Sequence, residues 1–250
     1  MKIRLGELIN SGLWRSLDWI YPPDCASCGE PGYRLCPECQ AKIRFIRGKR
    51  CALCGEPTRG AAERCKPCQV SLPPYTAMRN LAYYEGVIRD CVHALKYQHN
   101  QGLGEYFSGM LASLVREAGW APDLVMPVPL SAQRMAQRGF NQAACLARPL
   151  AAHLGVRYHP YGIMRTRDTP SQVGLSGEAR RRNVAGAFTA STEVVAGRKV
   201  LIVDDVMTTG STMETSAGAL REAGADAVYC LTLGRFALRA GLHNLHRHQV

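Results

Sequence analysis

No run of eighteen apolar residues occurs in the 250-residue chain, so the sequence offers no helix able to span a bilayer. Low-complexity tracts are missing too, and nothing longer than a cysteine pair recurs, which argues against disordered-linker and solenoid architectures. Acidic side chains are scarce against basic ones: 20 Asp and Glu face 31 Lys and Arg, a formal net charge of +11. That deficit favours polyanionic partners such as phosphates or nucleic acid and says nothing of fold. The N-terminus lacks the unbroken apolar core of a secretion signal, because Glu7, Asn10 and Ser11 interrupt it and Asp18 closes it. A cytoplasmic protein is expected. In place of a signal, Leu5, Leu8, Ile9, Leu13, Trp14 and Leu17 recur at helical spacing before Pro22 and Pro23. This predicts an amphipathic helix within residues 1–22 whose apolar stripe packs on the rest of the protein, with a membrane or partner surface as the alternative.

Cysteine is what the chain has in excess, and eight of its eleven cysteines fall into four CxxC pairs: Cys25/Cys28, Cys36/Cys39, Cys51/Cys54 and Cys65/Cys68. A CxxC turn points two thiolates at one metal, and two such turns complete a closed tetrahedral set, which predicts two structural zinc ions and no open catalytic position. Gly29 and Gly55 follow the first pair of each half, where a tight knuckle suits a residue without a Cβ. A sequential partition is the natural one, and spacing alone leaves an interleaved one open. Disulfides are the alternative and suit an oxidising compartment, which the rest of the chain does not resemble. Eight thiolates around two Zn²⁺ would lower the net charge by four, to about +7, so the protein stays basic. Cys91, Cys145 and Cys230 have no CxxC partner and read as small buried hydrophobes. His93, His99, His153 and His159 are scattered, and His243, His246 and His248 read as a solvated tail.

The most specific stretch is residues 200–212, VLIVDDVMTTGST. Residues 200–203 form an aliphatic run with no turn residue, as in a parallel strand covered on both faces. Such a strand delivers Asp204 and Asp205 to its carboxyl end, where open α/β sheets bind ligands. Met207, Thr208, Thr209, Gly210, Ser211 and Thr212 then precede a helical pattern, and unpaired amides at a helix start make an anion site. Carboxylates beside an anion site fit a ligand carrying both a phosphate and vicinal hydroxyls, with a divalent metal to relieve the charge. The segment resembles the phosphoribosyl-pyrophosphate motif of type I phosphoribosyltransferases. In that family the two carboxylates hold the ribose hydroxyls and the following loop holds the 5-phosphate.

A fold follows from the rest of the pattern. Residues 23–70 read as a tandem metal ribbon, 71–75 as a linker, 76–236 as a single α/β domain and 237–250 as a tail. Strands are expected near 81–84, 124–128, 163–165, 200–203 and 227–233, with helices near 87–97, 103–118, 141–154, 178–183 and 213–223. Strands alternating with helices predict a mostly parallel sheet flanked by helices. After the 124–128 strand comes a basic turn with Arg134, Arg138, Gly139, Phe140, Asn141 and Gln142. In the transferase arrangement the pyrophosphate loop stands here, which assigns that anion to Arg138, Gly139 and Asn141. Residues 166–177 form a long polar loop, uncommon in a compact domain unless it is a lid or binding element. With Arg165, Arg167, Gln172, Arg180 and Asn183 it matches the flexible loop that closes over the substrate; a solvated basic loop is the plainer reading.

Taken together, the four CxxC pairs, ALKY at 94–97, RGFNQ at 138–142, the pattern Gln172, Leu175, Arg180 and Asn183, GAF at 186–188 and the sugar motif resemble the ComF/GntX family over about residues 13–236. The resemblance implies a double zinc ribbon fused to a type I phosphoribosyltransferase-like domain. It also implies a link to natural competence or to the use of DNA as a nutrient, with imported single-stranded DNA and DNA-uptake proteins as partners. Thr208 departs from the purine-salvage enzymes, which carry there an Asp that accepts a proton from the nucleobase. No nucleobase hood is recognisable, because the ribbons occupy its usual place in sequence. Two functions therefore stand. One is Mg²⁺-dependent phosphoribosyl transfer from phosphoribosyl pyrophosphate, and the other is a non-catalytic protein that turns the same anion sites and ribbons to nucleic acid or a nucleotide.

Overall fold

The computed structural model describes residues 22–58, 62–166 and 186–237. The helix expected before Pro22, most of the 166–177 loop, the helix expected at 178–183, and Arg167, Gln172, Arg180 and Asn183 lie outside the described residues. Two short helices, α1 (Pro37–Ala41) and α2 (Lys66–Val70), begin directly after Cys36 and Cys65, each with a proline in the first turn, where a missing N–H costs nothing. The chain then runs β1 (Ala77–Tyr83), α3 (Gly86–Tyr97), α4 (Gly102–Glu117), β2 (Leu124–Pro127), α5 (Ala132–Arg138), α6 (Gln142–Leu154) and β3 (Arg157–Tyr158). It continues through β4 (Ile163–Arg165), β5 (Phe188–Ala190), α7 (Thr192–Val195), β6 (Lys199–Met207), α8 (Ser211–Glu222) and β7 (Ala227–Arg235). Among the described residues no helix is long and apolar enough to cross a membrane.

Five strands form one sheet in the order β1-β7-β6-β2-β3, every neighbouring pair parallel. Side-chain alternation assigns β6 to two cores. Leu201 and Val203 join the helices α3, α4 and α6 on one face, while Val200 and Ile202 join α8 and the β4–β5 hairpin on the other. Burial on both faces explains why β6 reads as an unbroken aliphatic run. β1 starts earlier than its apolar residues suggest, because Asn80 is buried in mid-strand with its Oδ1 accepting the Thr232 hydroxyl at 2.7 Å. That bond satisfies the carbonyl half of the amide, while Nδ2 has no hydrogen-bond partner among the described residues.

Chain connections fix where a ligand can enter. From β2 the chain goes on to β3 on one side, and from β6 to β7 on the other, so strand order reverses between β2 and β6. At such a reversal the carboxyl ends of two adjacent strands open into a crevice. The ribbons cover the β1 edge: Phe45 bridges Ala82, Ile46 N–H donates to Leu81 O at 3.0 Å, and Met78 N–H donates to Leu53 O at 2.6 Å. An exposed edge strand is thereby protected from pairing with another chain.

Candidate functional site

The pleat that sorts Leu201 from Ile202 also separates the two carboxylates. Asp205 follows the odd positions toward α3, and Asp204 follows the even positions toward α8. On the α3 side stands Lys96, whose Nζ lies 2.6 Å from Asp205 Oδ2. Asp205 Oδ1 accepts the Val206 N–H at 2.9 Å, and Asp204 Oδ1 accepts the Asp205 N–H at 2.8 Å. Burial pushes both carboxyls upward, but their surroundings differ. For Asp205 the Lys96 ammonium and its hydrogen bond more than offset burial, and the carboxyl lies below its ordinary value. For Asp204 burial and the neighbouring Asp205 charge act together, and the carboxyl lies well above it. Burial opposes the charge on Lys96 as well; Asp205 outweighs it and holds the ammonium above its ordinary value. Both partners thus shift in the sense of a retained ion pair.

Directly after β6 the chain turns through Thr208 and Thr209, both exposed, to Gly210, whose φ of +88° is the left-handed conformation that favours glycine. Gly210 is the N-cap of α8 and offers no side chain to its first amides. The Thr209 and Ser211 hydroxyls lie 2.9 Å apart. The Ser211 N–H reaches Thr209 Oγ1 at a long 3.5 Å, and a helix start so flanked by hydroxyls and reached by its positive dipole end can hold a phosphate. Thr212 is partly buried on the first turn of α8, and Met207 is buried at the end of β6.

Across the crevice the basic turn differs from expectation. It contains a helix of its own, α5, capped at its start by Ser131 and ended by Gly139 at φ +75°. None of its residues is buried, so no apolar stripe marks it in the sequence. Arg138 stacks its guanidinium 5.1 Å from the Tyr97 ring centroid and donates to Gln142 Oε1 at 2.8 Å and Tyr97 Oη at 3.3 Å. Asn141 is a helix cap: its Oδ1 accepts Ala143 N–H at 2.9 Å while its Nδ2 donates to Val128 O at 2.9 Å. That pair of bonds ties the end of β2 to the start of α6. Arg165 closes β4 with its guanidinium 5.4 Å from the Phe188 ring centroid, and Ile163 to Arg165 pair antiparallel with Phe188 to Ala190. The hairpin holds residues 166 and 186 together beside α8, with Thr166 N–H donating to Ala187 O at 2.9 Å.

The eight knuckle cysteines form two clusters, Cys25, Cys28, Cys36 and Cys39, then Cys51, Cys54, Cys65 and Cys68, with the sulfurs of each within 4.8 Å of one another. The partition is sequential. Cys28 and Cys36 sulfurs are 3.6 Å apart and those of Cys54 and Cys65 3.5 Å, close to the tetrahedron edge of about 3.8 Å set by Zn–S bonds of about 2.3 Å. Both sets fit a structural Zn²⁺. Of the other cysteines, Cys91 and Cys230 are buried and Cys145 is partly so.

The first ribbon meets α3 and α4 through side chains: Ser27 Oγ donates to Asp90 Oδ2 at 2.8 Å, Arg34 to Asn100 Oδ1 at 3.1 Å, and Tyr106 Oη to Gln40 Oε1 at 2.7 Å. The second is held by Arg235, 2 % exposed at the end of β7, which donates to Cys54 O at 3.1 Å and pairs with Glu56 at 2.5 Å. Sequence reasoning gave no role to Lys96 or Arg235. For Lys96 a signal exists, since it continues the stripe of buried Ile88 and Val92 on α3, and a charge on an apolar stripe needs a partner.

A pair of four-cysteine ribbons joined to a parallel sheet with an acidic strand end and a hydroxyl-rich helix start defines the class. Residues 16–69 match the double zinc ribbon domain and residues 93–235 the phosphoribosyl transferase domain. The chain belongs to this family, a double zinc ribbon followed by a phosphoribosyl transferase domain, in the ComF/GntX arrangement. It is 33 % identical over 204 residues to DNA utilization protein YhgH of Escherichia coli K12, covering 79 % of this chain and 89 % of the relative. It is 30 % identical over 208 residues to competence protein F of Haemophilus influenzae, covering 80 % and 90 %. With competence protein ComFC of Bacillus subtilis identity is 27 % over 236 residues, 89 % of each. Among solved structures, the B. subtilis glutamine phosphoribosylpyrophosphate amidotransferase has 24 % identity and a TM-score of 0.38, matching 53 % of this chain and 26 % of that one.

Proposed function

We propose that the crevice between β2 and β6 binds phosphoribosyl pyrophosphate with Mg²⁺, and that the protein acts in the handling of imported single-stranded DNA on the cytoplasmic side. The observation that carries the sugar-donor reading is the joining of an acidic pair to an open helix start on one continuous segment, Asp204 to Thr212. In this reading Asp204 and Asp205 accept hydrogen bonds from the ribose hydroxyls. Met207, Thr208, Thr209, Gly210, Ser211 and Thr212 enclose the 5-phosphate with backbone amides and hydroxyls. Gly139 and its neighbouring amides face the pyrophosphate, with Arg138 supplying charge from its place against Tyr97. Arg165, Arg167, Gln172, Arg180 and Asn183 belong to the segment that covers the donor.

Mg²⁺ suits this set because carboxylates, hydroxyls and phosphates are hard oxygen donors; its contribution when bound is to neutralise the pyrophosphate. Thr208 has no carboxylate to take a proton, so the chain's own residues bind and orient the donor and exclude water. Whether transfer follows depends on the acceptor.

The link to DNA rests on relatives named for DNA utilization and competence and on the net charge of +11. A second reading, a non-catalytic nucleic-acid-binding protein, draws on the same charge. Equilibrium dialysis with labelled phosphoribosyl pyrophosphate and Mg²⁺ tests the first. Binding by the wild type and a loss of about tenfold or more in Asp204→Asn/Asp205→Asn is expected, from charged hydrogen bonds of about 1.5–3 kcal/mol each. Equal affinity in a folded double variant would place the sugar elsewhere. Retained DNA binding with no donor binding at all would favour the second reading.

A further inference from the structure

Lys96 is given no role by any motif described above, yet it supplies the ammonium in contact with the acidic pair. Its Nζ makes the 2.6 Å contact with Asp205 from the last turn of α3, and Asp205 is 4 % exposed. An ammonium carries three N–H donors, and Asp205 is its ion-pair partner among the described residues. Asp204, on the other face of the strand, makes no ion pair among the described residues and feels the Lys96 charge only through space, too weakly to offset its burial and the Asp205 charge. The acidic pair is therefore asymmetric before any ligand arrives: one carboxylate is fixed and compensated by the chain itself, and the other is left to be answered by a ligand.

We propose that Lys96 is a positioning residue that pins Asp205 for one ribose hydroxyl and supplies the positive charge at the diol end of the site, so that recognition of the ribose 5-phosphate moiety needs no divalent cation there. The proposal rests on the sugar-phosphate reading of the crevice and assigns any Mg²⁺ requirement to the pyrophosphate end of the donor. It follows from charge balance. Two adjacent carboxylates in a desolvated strand end repel each other strongly, and a cation in contact with one of them removes most of that cost. A resident ammonium does so in the absence of ligand, and its spare N–H groups remain able to donate to a hydroxyl oxygen.

The test is calorimetric titration of ribose 5-phosphate, which lacks the pyrophosphate, in EDTA and in Mg²⁺, beside 2-deoxyribose 5-phosphate. Wild-type protein is expected to bind ribose 5-phosphate with affinities within about twofold in the two buffers and to prefer it to the deoxy sugar. Lys96→Met is expected to lose about tenfold or more in EDTA, to recover part of it in Mg²⁺, and to lose its preference for the diol. Lys96→Gln keeps an N–H toward Asp205 without the charge, and is expected to show the same new metal dependence. Should Lys96→Met fail to fold, the glutamine variant decides alone. Binding by Lys96→Gln equal to wild type in EDTA, or a wild type that itself needs Mg²⁺ for ribose 5-phosphate, overturns the proposal while leaving the sugar site standing. No binding of ribose 5-phosphate or of phosphoribosyl pyrophosphate by the wild type removes the underlying reading, and this proposal with it.

Discussion

The two zinc ribbons have similar spacing and the same cysteine chemistry, but they are attached to the domain in different ways. The first lies on α3 and α4, with Cys25, Leu35, Cys36, Cys39 and Ile43 in the same apolar cluster as those helices and polar contacts such as Tyr106 to Gln40 and Ser27 to Asp90 at its rim. The second is joined to the sheet itself, through Met78 N–H to Leu53 O and through a buried arginine that binds both a knuckle carbonyl and Glu56. Cys51 is fully buried while Cys28 is exposed. β7, which ends in Arg235, pairs along its length with β6, so the second ribbon and the acidic strand end share one rigid frame. Similar modules can therefore differ in what their metal supports: one staples the helices α3 and α4, the other the sheet through β1 and β7.

The largest effect should come from the metal sets. Cys51→Ser and Cys28→Ser should each lower zinc content from two to one per chain by elemental analysis, because a structural set needs all four sulfurs. Apparent binding energies of about 10–16 kcal/mol for structural zinc make either loss large. Both variants should melt below the wild type, the Cys51 variant by more, because its ribbon is hydrogen-bonded to β1 and held by Arg235 at the end of β7. Equal shifts in Tm would erase the contrast.

Next in size is Arg235→Met, which strands Glu56 and the Cys54 carbonyl in a buried place. Breaking a buried pair from one side costs about 3–5 kcal/mol. Arg44→Ala, which removes an exposed pair with Glu85 at 3.0 Å, should cost less than about 1 kcal/mol. Denaturant titration of both variants measures the difference, and similar midpoints would show that Arg235 does not anchor the ribbon.

The knuckle glycines sharpen the comparison further. Gly29 and Gly55 both have positive φ, +80° and +68°, but a Cβ at Gly29 meets open space while one at Gly55 would lie 2.7 Å from Met78 O. Gly29→Ala should cost about 1 kcal/mol, the left-handed penalty alone. Gly55→Ala should cost clearly more, since the knuckle must shift away from β1. Equal costs would mean that the close approach is easily relieved.

The smallest effect, and one of opposite sign, is expected at Asp204. Asp204 has its carboxyl raised in the folded protein, so its folding contribution is most favourable below the ordinary value of 3.8 and is lost as pH rises toward the folded value. Asp204→Asn should therefore stabilise the ligand-free protein at neutral pH while weakening donor binding, the gain disappearing below about pH 4. Asp205 is lowered, so its contribution is present above 3.8 and lost as pH falls through its folded value. Asp205→Asn should destabilise at neutral pH by leaving Lys96 unpaired. Melting curves of the two variants across roughly pH 4 to 8 separate the opposite signs.

What the sequence shows of this molecule is what local pattern can encode. The aliphatic run of β6, the helix starts and the cysteine knuckles are written in residues a few positions apart, and the structure has them near the expected bounds. β3 and β5 are two and three residues long, too short to carry a period, and α5 has no buried face to leave one. The partition of the cysteines, the covering of β1 by the ribbons and the pairs Lys96–Asp205 and Arg235–Glu56 are contacts between distant segments, and only the tertiary fold brings them together. Arg235 closes an otherwise apolar strand, so the sequence marks it as a charge in need of a partner without saying which. Asn141 reads as a pyrophosphate ligand by position, while its side chain is hydrogen-bonded to the backbone on both sides.

The central claim, that one segment from Asp204 to Thr212 holds a phosphorylated ribose, is tested most directly by a crystal structure of the zinc-loaded protein grown with phosphoribosyl pyrophosphate and Mg²⁺. The account predicts the 5-phosphate against the amides and hydroxyls of Thr208 to Thr212, with the ribose hydroxyls on Asp204 and Asp205. A donor bound away from this segment, or none at concentrations that saturate other phosphoribosyl-pyrophosphate-binding proteins, would contradict it.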